Sequence, residues 1–125
     1  MTTKSEIDAA LADHNIGFTL AKGDQIYGHL SLKTGALIQG FVDGNVECAE
    51  GSVIITESGC IKGSITAQRV LIEGQVRSNP NESPSKVIGL EMISVSSGAN
   101  IEADLVSKAF AIHSTGIKGS LQTLS

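Results

Sequence analysis

The sequence is poor in aromatic residues, which make up 3% of its 125 residues, with no Trp, one Tyr and three Phe. A core without rings must be built from aliphatic side chains, and the chain supplies 14 Ile, 8 Val and 10 Leu. Pro is also scarce, with two residues, whereas there are 14 Gly. β-Branched residues separated by Gly favour short strands joined by tight turns over helices. The composition therefore indicates one all-β domain, not a disordered chain or a coiled coil.

The sequence also lacks a cluster of basic residues. Nine Lys and Arg are scattered among a chain with thirteen Asp and Glu, for a formal net charge of -4. Because affinity for nucleic acid depends on clustered Lys and Arg that neutralise phosphates, we expect no DNA or RNA binding. No apolar run approaches the ~18 residues of a transmembrane helix. The polar stretch 1–8 is not followed by the apolar core of a signal peptide, so a cytoplasmic protein is expected.

Cysteine and histidine are too few for a familiar metal or redox site. Cys48 and Cys60 are not in a Cys-x-x-Cys spacing, and no His lies near them at the spacing of metal ligands. Two cysteines suit a reducing compartment, as packing residues or as surface thiols. The sequence has neither a phosphate-binding Gly-x-x-x-x-Gly-Lys-Ser/Thr loop nor a Gly-x-Ser-x-Gly motif. We therefore predict no catalytic residue, cofactor or metal site.

A short pattern recurs instead: an aliphatic residue, any residue, a small residue, any residue, and a second aliphatic residue. Its seven copies begin at Ile26, Ile38, Val42, Ile61, Ile72, Ile101 and Ile117. Matching positions recur after about 16 to 19 residues, for example from Ile26 to Val42 and from Val42 to Ile61. A period of that length, holding several short strands, is typical of one coil of a β-solenoid.

Alternation with period two sorts each strand into an inner and an outer face. It predicts that the small central residue, such as Gly28 or Gly44, points into a narrow tube together with its aliphatic neighbours. The scarcity of rings then follows from the width of the tube. Four further glycines are predicted at corners, where positive φ is cheap only for Gly: Gly35, Gly59, Gly98 and Gly116.

Two other architectures compete with the solenoid. A helix fails because period-two alternation does not give it a continuous apolar stripe. An antiparallel sandwich stays open as an alternative. Against it, no Asn-Gly or Asp-Gly loop separates two strands, since Asp43-Gly44 lies within an alternating run.

The stretch from Ile38 to Val46 (Ile-Gln-Gly-Phe-Val-Asp-Gly-Asn-Val) resembles the aliphatic-x-Gly-x-Val-x-Gly-Asn-Val core of bactofilins. The stretch from Gly51 to Gly63 resembles the next bactofilin coil, and the resemblance extends over about residues 18–121. It implies a right-handed parallel β-helix, here of about six coils. It also implies a bacterial cytoskeletal scaffold that assembles without nucleotide into non-polar filaments. Relatives often lie under the inner membrane and position cell-wall enzymes or shape determinants.

The coils are expected to occupy residues 18–125 as one domain. Residues 1–17 are expected to form a tail or a short helix capped by Ser5, with Ile7 and Leu11 on one face. Residues 78–86 contain two Pro and no aliphatic residue, and they predict a loop inserted between coils. The mixed, acidic segment 1–13 departs from the apolar or basic membrane-binding peptide of many relatives. Attachment to the inner face of the membrane is therefore left open.

The two ends of a β-solenoid expose unpaired backbone groups, and no polar cap follows Leu121 in this sequence. We expect these ends to stack on further copies of the chain. The predicted polymerisation interface comprises Phe18, Leu20, Ile112, Ile117, Leu121 and Leu124. By parity, four apolar residues lie on the outer face, either as a lateral contact or as isolated exposed side chains: Tyr27, Phe41, Ile54 and Leu71.

The main hypothesis is thus a non-enzymatic, self-assembling scaffold. Two alternative functions stay open. One is an acyltransferase-like left-handed β-helix with His113 at a subunit interface, although the spacing of 16 to 19 residues breaks its six-residue repeat. His29 and His113 are about five coils apart, so ~24 Å separates them and one chain cannot bind a metal with both. The other is a monomeric adaptor whose loop at residues 79–84 binds a partner.

Overall fold

A computed structural model describes residues 16–78, 85–113 and 116–124 of the chain. Within these residues the backbone forms fifteen strands and no helix. Every strand pairing is parallel and joins residues of successive coils. This pattern excludes the antiparallel sandwich and confirms the predicted parallel β-solenoid.

The strands form three ladders, which we call faces 1, 2 and 3. Face 1 contains β1 (Ile16–Leu20), β4 (Gly35–Ile38), β7 (Ser52–Ile55), the second halves of β9 (Ile65–Ile72) and β11 (Ser85–Val95), and β13 (Phe110–Ile112). Face 2 contains β2 (Gln25–Tyr27), β5 (Phe41–Asp43), β8 (Cys60–Lys62), β10 (Gln75–Arg77), the first half of β12 (Asn100–Ser107), and β14 (Ile117–Lys118). Face 3 contains β3 (Leu30–Leu32), β6 (Val46–Cys48), the first halves of β9 and β11, the second half of β12, and β15 (Leu121–Thr123).

One segment from each face makes a coil, and six coils follow one another along the chain. We number them 1 to 6, over residues 16–34, 35–51, 52–68, 69–91, 92–109 and 110–124. The number confirms the expected six. Residues 1–15 lie outside the described part, so the predicted tail or helix stays a prediction there. Residues 79–84 of the predicted loop lie outside it too, while Ser85 and Lys86 already belong to β11.

The core is a stack of aliphatic side chains that repeat in register from coil to coil. On face 2 the stacked residues are Ile26, Val42, Ile61, Val76, Ile101 and Ile117. Those of coils 2 to 5 are fully buried, whereas the first and the last are half-buried. Each internal residue is covered by the coil before and the coil after, about 4.8 Å away. Burial therefore depends on having two neighbouring coils.

The prediction that Gly28 and Gly44 point into the tube is wrong. Both lie at bends between a strand of face 2 and a strand of face 3, with φ of 127° and 154°. A Cβ on Gly44 would collide with the carbonyl oxygen of Gly28 in the coil below. The glycine is needed because two corners stack closely there, not because the lumen is narrow. Ala103, in the same slot of the motif but within the continuous strand β12, does belong to the core.

The predicted corner glycines are also partly corrected. Gly59 and Gly98 do lie at turns between faces 1 and 2, as expected, whereas Gly35 begins strand β4. Positive φ is found elsewhere, at Gly23, Gly28, Gly44, Gly63 and Gly119. At Gly59 the close approach of backbone is the constraint, since a Cβ would meet the carbonyl oxygen of Ile38.

The corner between faces 2 and 3 carries polar side chains that accept backbone hydrogen bonds from the next coil. The Asn45 amide oxygen accepts the N–H of Ser64 at 2.9 Å, and the Asp104 carboxylate accepts that of Ser120 at 3.0 Å. The His29 ring nitrogen Nδ1 likewise accepts the N–H of Asn45 at 3.2 Å. These bonds tie successive coils together where no strand ladder runs.

Candidate assembly surfaces

The first and last coils each have strand edges without a strand neighbour in the described part of the chain. In coil 1, β1, β2 and β3 pair only with the strands of coil 2. In coil 6, β13, β14 and β15 pair only with β11 and β12. Such edges present rows of N–H and C=O groups that can accept another chain.

The structure places the predicted polymerisation residues at the two ends of the solenoid. Phe18 and Leu20 lie in coil 1, where Phe18 is half-buried and Leu20 is 6% exposed within the core. The other four, Ile112, Ile117, Leu121 and Leu124, lie in or next to coil 6. Leu121 is 49% exposed, whereas its counterpart one coil earlier, Leu105, is fully buried.

One aromatic residue of the ends escaped the sequence prediction. Phe110 lies in coil 6, in the same inward stack as Phe18 in coil 1. The residues between them in that stack are Ala36, Val53, Val70 and Ile93. Both rings are half-buried against the core. A count of 17 residues back from Phe110 reaches Ile93 and would have identified the stack.

The four predicted lateral residues divide into two separate patches. Tyr27 and Phe41 lie on face 2, with their ring centroids 6.3 Å apart and Tyr27 70% exposed. Ile54 and Leu71 are register neighbours on face 1, where both are half-buried. A single lateral patch made of all four is therefore not what the fold provides.

A family model described as "Bactofilin: Polymer-forming cytoskeletal" matches residues 18–122. The chain belongs to the bactofilin family. No curated protein and no solved structure matches it. The bactofilin match covers the whole described solenoid apart from its first and last residues, and it assigns the chain to a family of polymer-forming cytoskeletal proteins.

The two thiols of this bactofilin have different surroundings. Cys48 is 3% exposed within the core, and burial raises the pKa of its thiol to about 11. Cys60 is half-buried on the outside of face 2, where burial raises the pKa of its thiol, and the charges of Arg77 and Lys62 act in the opposite direction. Neither forms a disulfide.

The chemistry of this bactofilin's histidines and carboxylates is dispersed. His29 belongs to coil 1 and His113 to coil 6. Among residues 16–78, 85–113 and 116–124, no three His, Cys, Asp or Glu side chains converge as metal ligands would. The same residues include no helix that is long and apolar enough to cross a membrane.

Proposed function

We propose that this bactofilin polymerises end to end through coils 1 and 6, without nucleotide, into non-polar filaments. The observation that carries the proposal is the contrast between end and internal coils. In the face 2 stack and in the stack from Phe18 to Phe110, the inward residues are fully buried in coils 2 to 5 and half-buried in coils 1 and 6, although Leu20 of coil 1 is buried. Stacking a second solenoid on either end would bury these side chains and pair the strand edges that have no neighbour in the described part of the chain.

Assembly of this kind needs no energy input, because burial of apolar surface and closure of strand ladders are both favourable. The two ends are chemically alike, since each presents an aliphatic rim and one half-buried Phe. Ends of this kind can each pair with their own kind across a two-fold axis. Alternating junctions of coil 1 with coil 1 and of coil 6 with coil 6 would give a filament without polarity.

The cellular role that we propose is positioning of cell-envelope or cell-shape proteins, with the filament in the cytoplasm at the inner face of the membrane. Membership of a family of polymer-forming cytoskeletal proteins supports the scaffolding part of this role. The long, regular sides of a stacked solenoid suit it, because each added copy repeats the same outer faces.

The test is electron microscopy and sedimentation of Phe18→Asp and Leu121→Asp variants, each purified without nucleotide. A charge at one end should block that junction and leave the other, so each variant should stop at discrete dimers. The double variant should be monomeric. A polar, head-to-tail filament would instead give monomers from each single variant.

The matched control is Gln122→Asp, which introduces the same charge in the same strand. Gln122 is exposed and points outward, beside the inward Leu121. Its filaments should equal those of the wild type, and far-UV circular dichroism should be unchanged in all variants. Long filaments from the Leu121→Asp variant would overturn the proposed junction.

A further inference from the structure

Five charged side chains form a straight column on the outside of face 2. From coil 2 to coil 6 they are Asp43, Lys62, Arg77, Glu102 and Lys118. Asp43, Lys62 and Arg77 are register neighbours, and so are Glu102 and Lys118. Arg77 and Glu102 directly follow the paired residues Val76 and Ile101, so about 4.8 Å separates each member from the next along the axis. The corresponding column on face 1 is Thr19, Leu37, Ile54, Leu71, Ser94 and Ala111, which carries no charge.

Among residues 16–78, 85–113 and 116–124, no ion pair uses the charges of this column. All five side chains are half-buried or exposed. Arg77 donates from Nε to the Gln75 amide oxygen at 3.1 Å. The ion pair found in the described part of the chain, Arg69 with Glu91, lies outside the column. The column therefore keeps its charges available to a partner.

The order of the charges suits an antiparallel second copy of the same column, because most positions then meet the opposite charge. Read from coil 2 to coil 6, it is negative, positive, positive, negative, positive. A second copy laid antiparallel, face 2 against face 2 and centred on coil 4, presents positive, negative, positive, positive, negative. Asp43 then meets Lys118 of the second copy, and Lys62 meets Glu102. Each of these contacts occurs twice, as in any two-fold interface, and only Arg77 meets its own kind.

The match depends on register. Sliding the second copy by one coil in one direction makes all four remaining contacts like-charged, and sliding it in the other direction makes half of them so. Like charges across an interface are strongly unfavourable and so select the partner's position. The column beside the charges is uncharged, with Phe41, Cys60, Gln75 and Asn100 in coils 2 to 5, so it adds no unpaired charge to the contact.

We propose that face 2 is a lateral interface that joins two antiparallel copies of this chain in this single register. The lateral contact uses the side of the solenoid and does not need the junctions at its ends. Only its role between filaments rests on the proposed function. A non-polar filament presents copies in both orientations, so neighbouring filaments can pair in this way. The attraction is between exposed charges and weakens as salt screens them.

Charge reversal tests the pairing. Lys62→Glu and Glu102→Lys each turn two attractive contacts into repulsive ones, and each should weaken lateral dimerisation at least tenfold at low salt. Both substitutions together restore opposite charges across the two-fold axis, so the double variant should recover the wild-type value within about threefold. The control is Lys108→Glu, which makes the same change at an exposed site away from face 2. Failure of the double variant to recover would overturn the proposal.

Cross-linking tests the register. In a Cys60→Ser background, Gln75→Cys places its thiol next to the two-fold axis, facing the same residue of the second copy. A short bis-maleimide should then join two chains covalently. Asn100→Cys in the same background faces coil 3 of the second copy and should give no cross-linked dimer. Equal yields from the two variants, or a dimer only from Asn100→Cys, would overturn the register.

Both experiments are made with Phe18→Asp and Leu121→Asp together in the full chain, so that the junctions at both ends are absent. Lateral pairing that persists there, and falls with salt, belongs to face 2 whatever happens at the ends. If lateral pairing is absent in this background while the wild type still forms end-to-end filaments, the lateral interface is wrong and the filament proposal stands. Filaments from Leu121→Asp with register-specific cross-links would do the reverse.

Discussion

The glycines between faces 2 and 3 owe their identity to the coil below them as well as to their own backbone. Gly28 and Gly44 both have positive φ, at 127° and 154°. Gly44 in coil 2 has no room for a Cβ above the carbonyl of Gly28, whereas Gly28 in coil 1 has open space around it. The steric constraint is therefore a property of stacking, and it begins only with the second coil.

We expect Gly44→Ala to lower the free energy of unfolding by about 2 kcal/mol, because a side chain is strained at this φ and displaces the coil below. Gly98→Ala is the matched control, since Gly98 lies in a turn with open space around its Cα and φ outside the strained region. Its effect should stay within about 0.5 kcal/mol. Urea unfolding followed by far-UV circular dichroism in the Leu121→Asp variant measures both. Equal losses from the two substitutions would contradict the stacking argument.

At the scale of single strands, the sequence predicted which aliphatic residues face inward but not where a strand ends. Val42 and Val46 would face inward if they belonged to one continuous alternating strand. They also face inward in the observed structure, where two short strands are joined by a bend at Gly44. The apolar pattern is the same in both cases, so it cannot reveal the corner. The charged column was missed for a related reason, because the segment around residues 79–84 interrupts the repeat between Arg77 and Glu102.

The stability of strands of three or four residues also depends on the corners between them. There the side-chain acceptors described above form hydrogen bonds between successive coils. Asn45→Ala removes the acceptor for the Ser64 N–H and should lower the free energy of unfolding by about 1 kcal/mol. Asn45→Asp keeps an oxygen in place and should lose less than half of that. Urea midpoints of the two variants, compared at one pH, measure the difference. If both lose the same amount, the acceptor is not what stabilises the corner.

At the scale of the whole molecule, the solenoid separates stability from assembly along its axis. Each coil contacts only its neighbours, so stability is close to a sum of coil and interface terms. Ile65 and Leu121 occupy the same stack on face 3, in coils 3 and 6. Ile65 is fully buried, whereas Leu121 is 49% exposed. The same stack thus contains one residue whose burial stabilises the fold and one whose exposed surface is available for a junction.

Truncating each of these two residues should therefore have opposite consequences. Ile65→Ala leaves a cavity between two coils and should cost about 3 kcal/mol of unfolding free energy, while filaments still form at temperatures where the chain is folded. Leu121→Ala should cost under about 1 kcal/mol but raise the protein concentration at which filaments appear, because the junction loses apolar contact. Urea unfolding at low protein concentration gives the first quantity, and light scattering across a dilution series gives the second. Leu121→Ala removes more exposed apolar surface from the coil 6 end than any other single truncation in this stack. If the protein concentration at which filaments appear does not change, the junction lies elsewhere than coil 6.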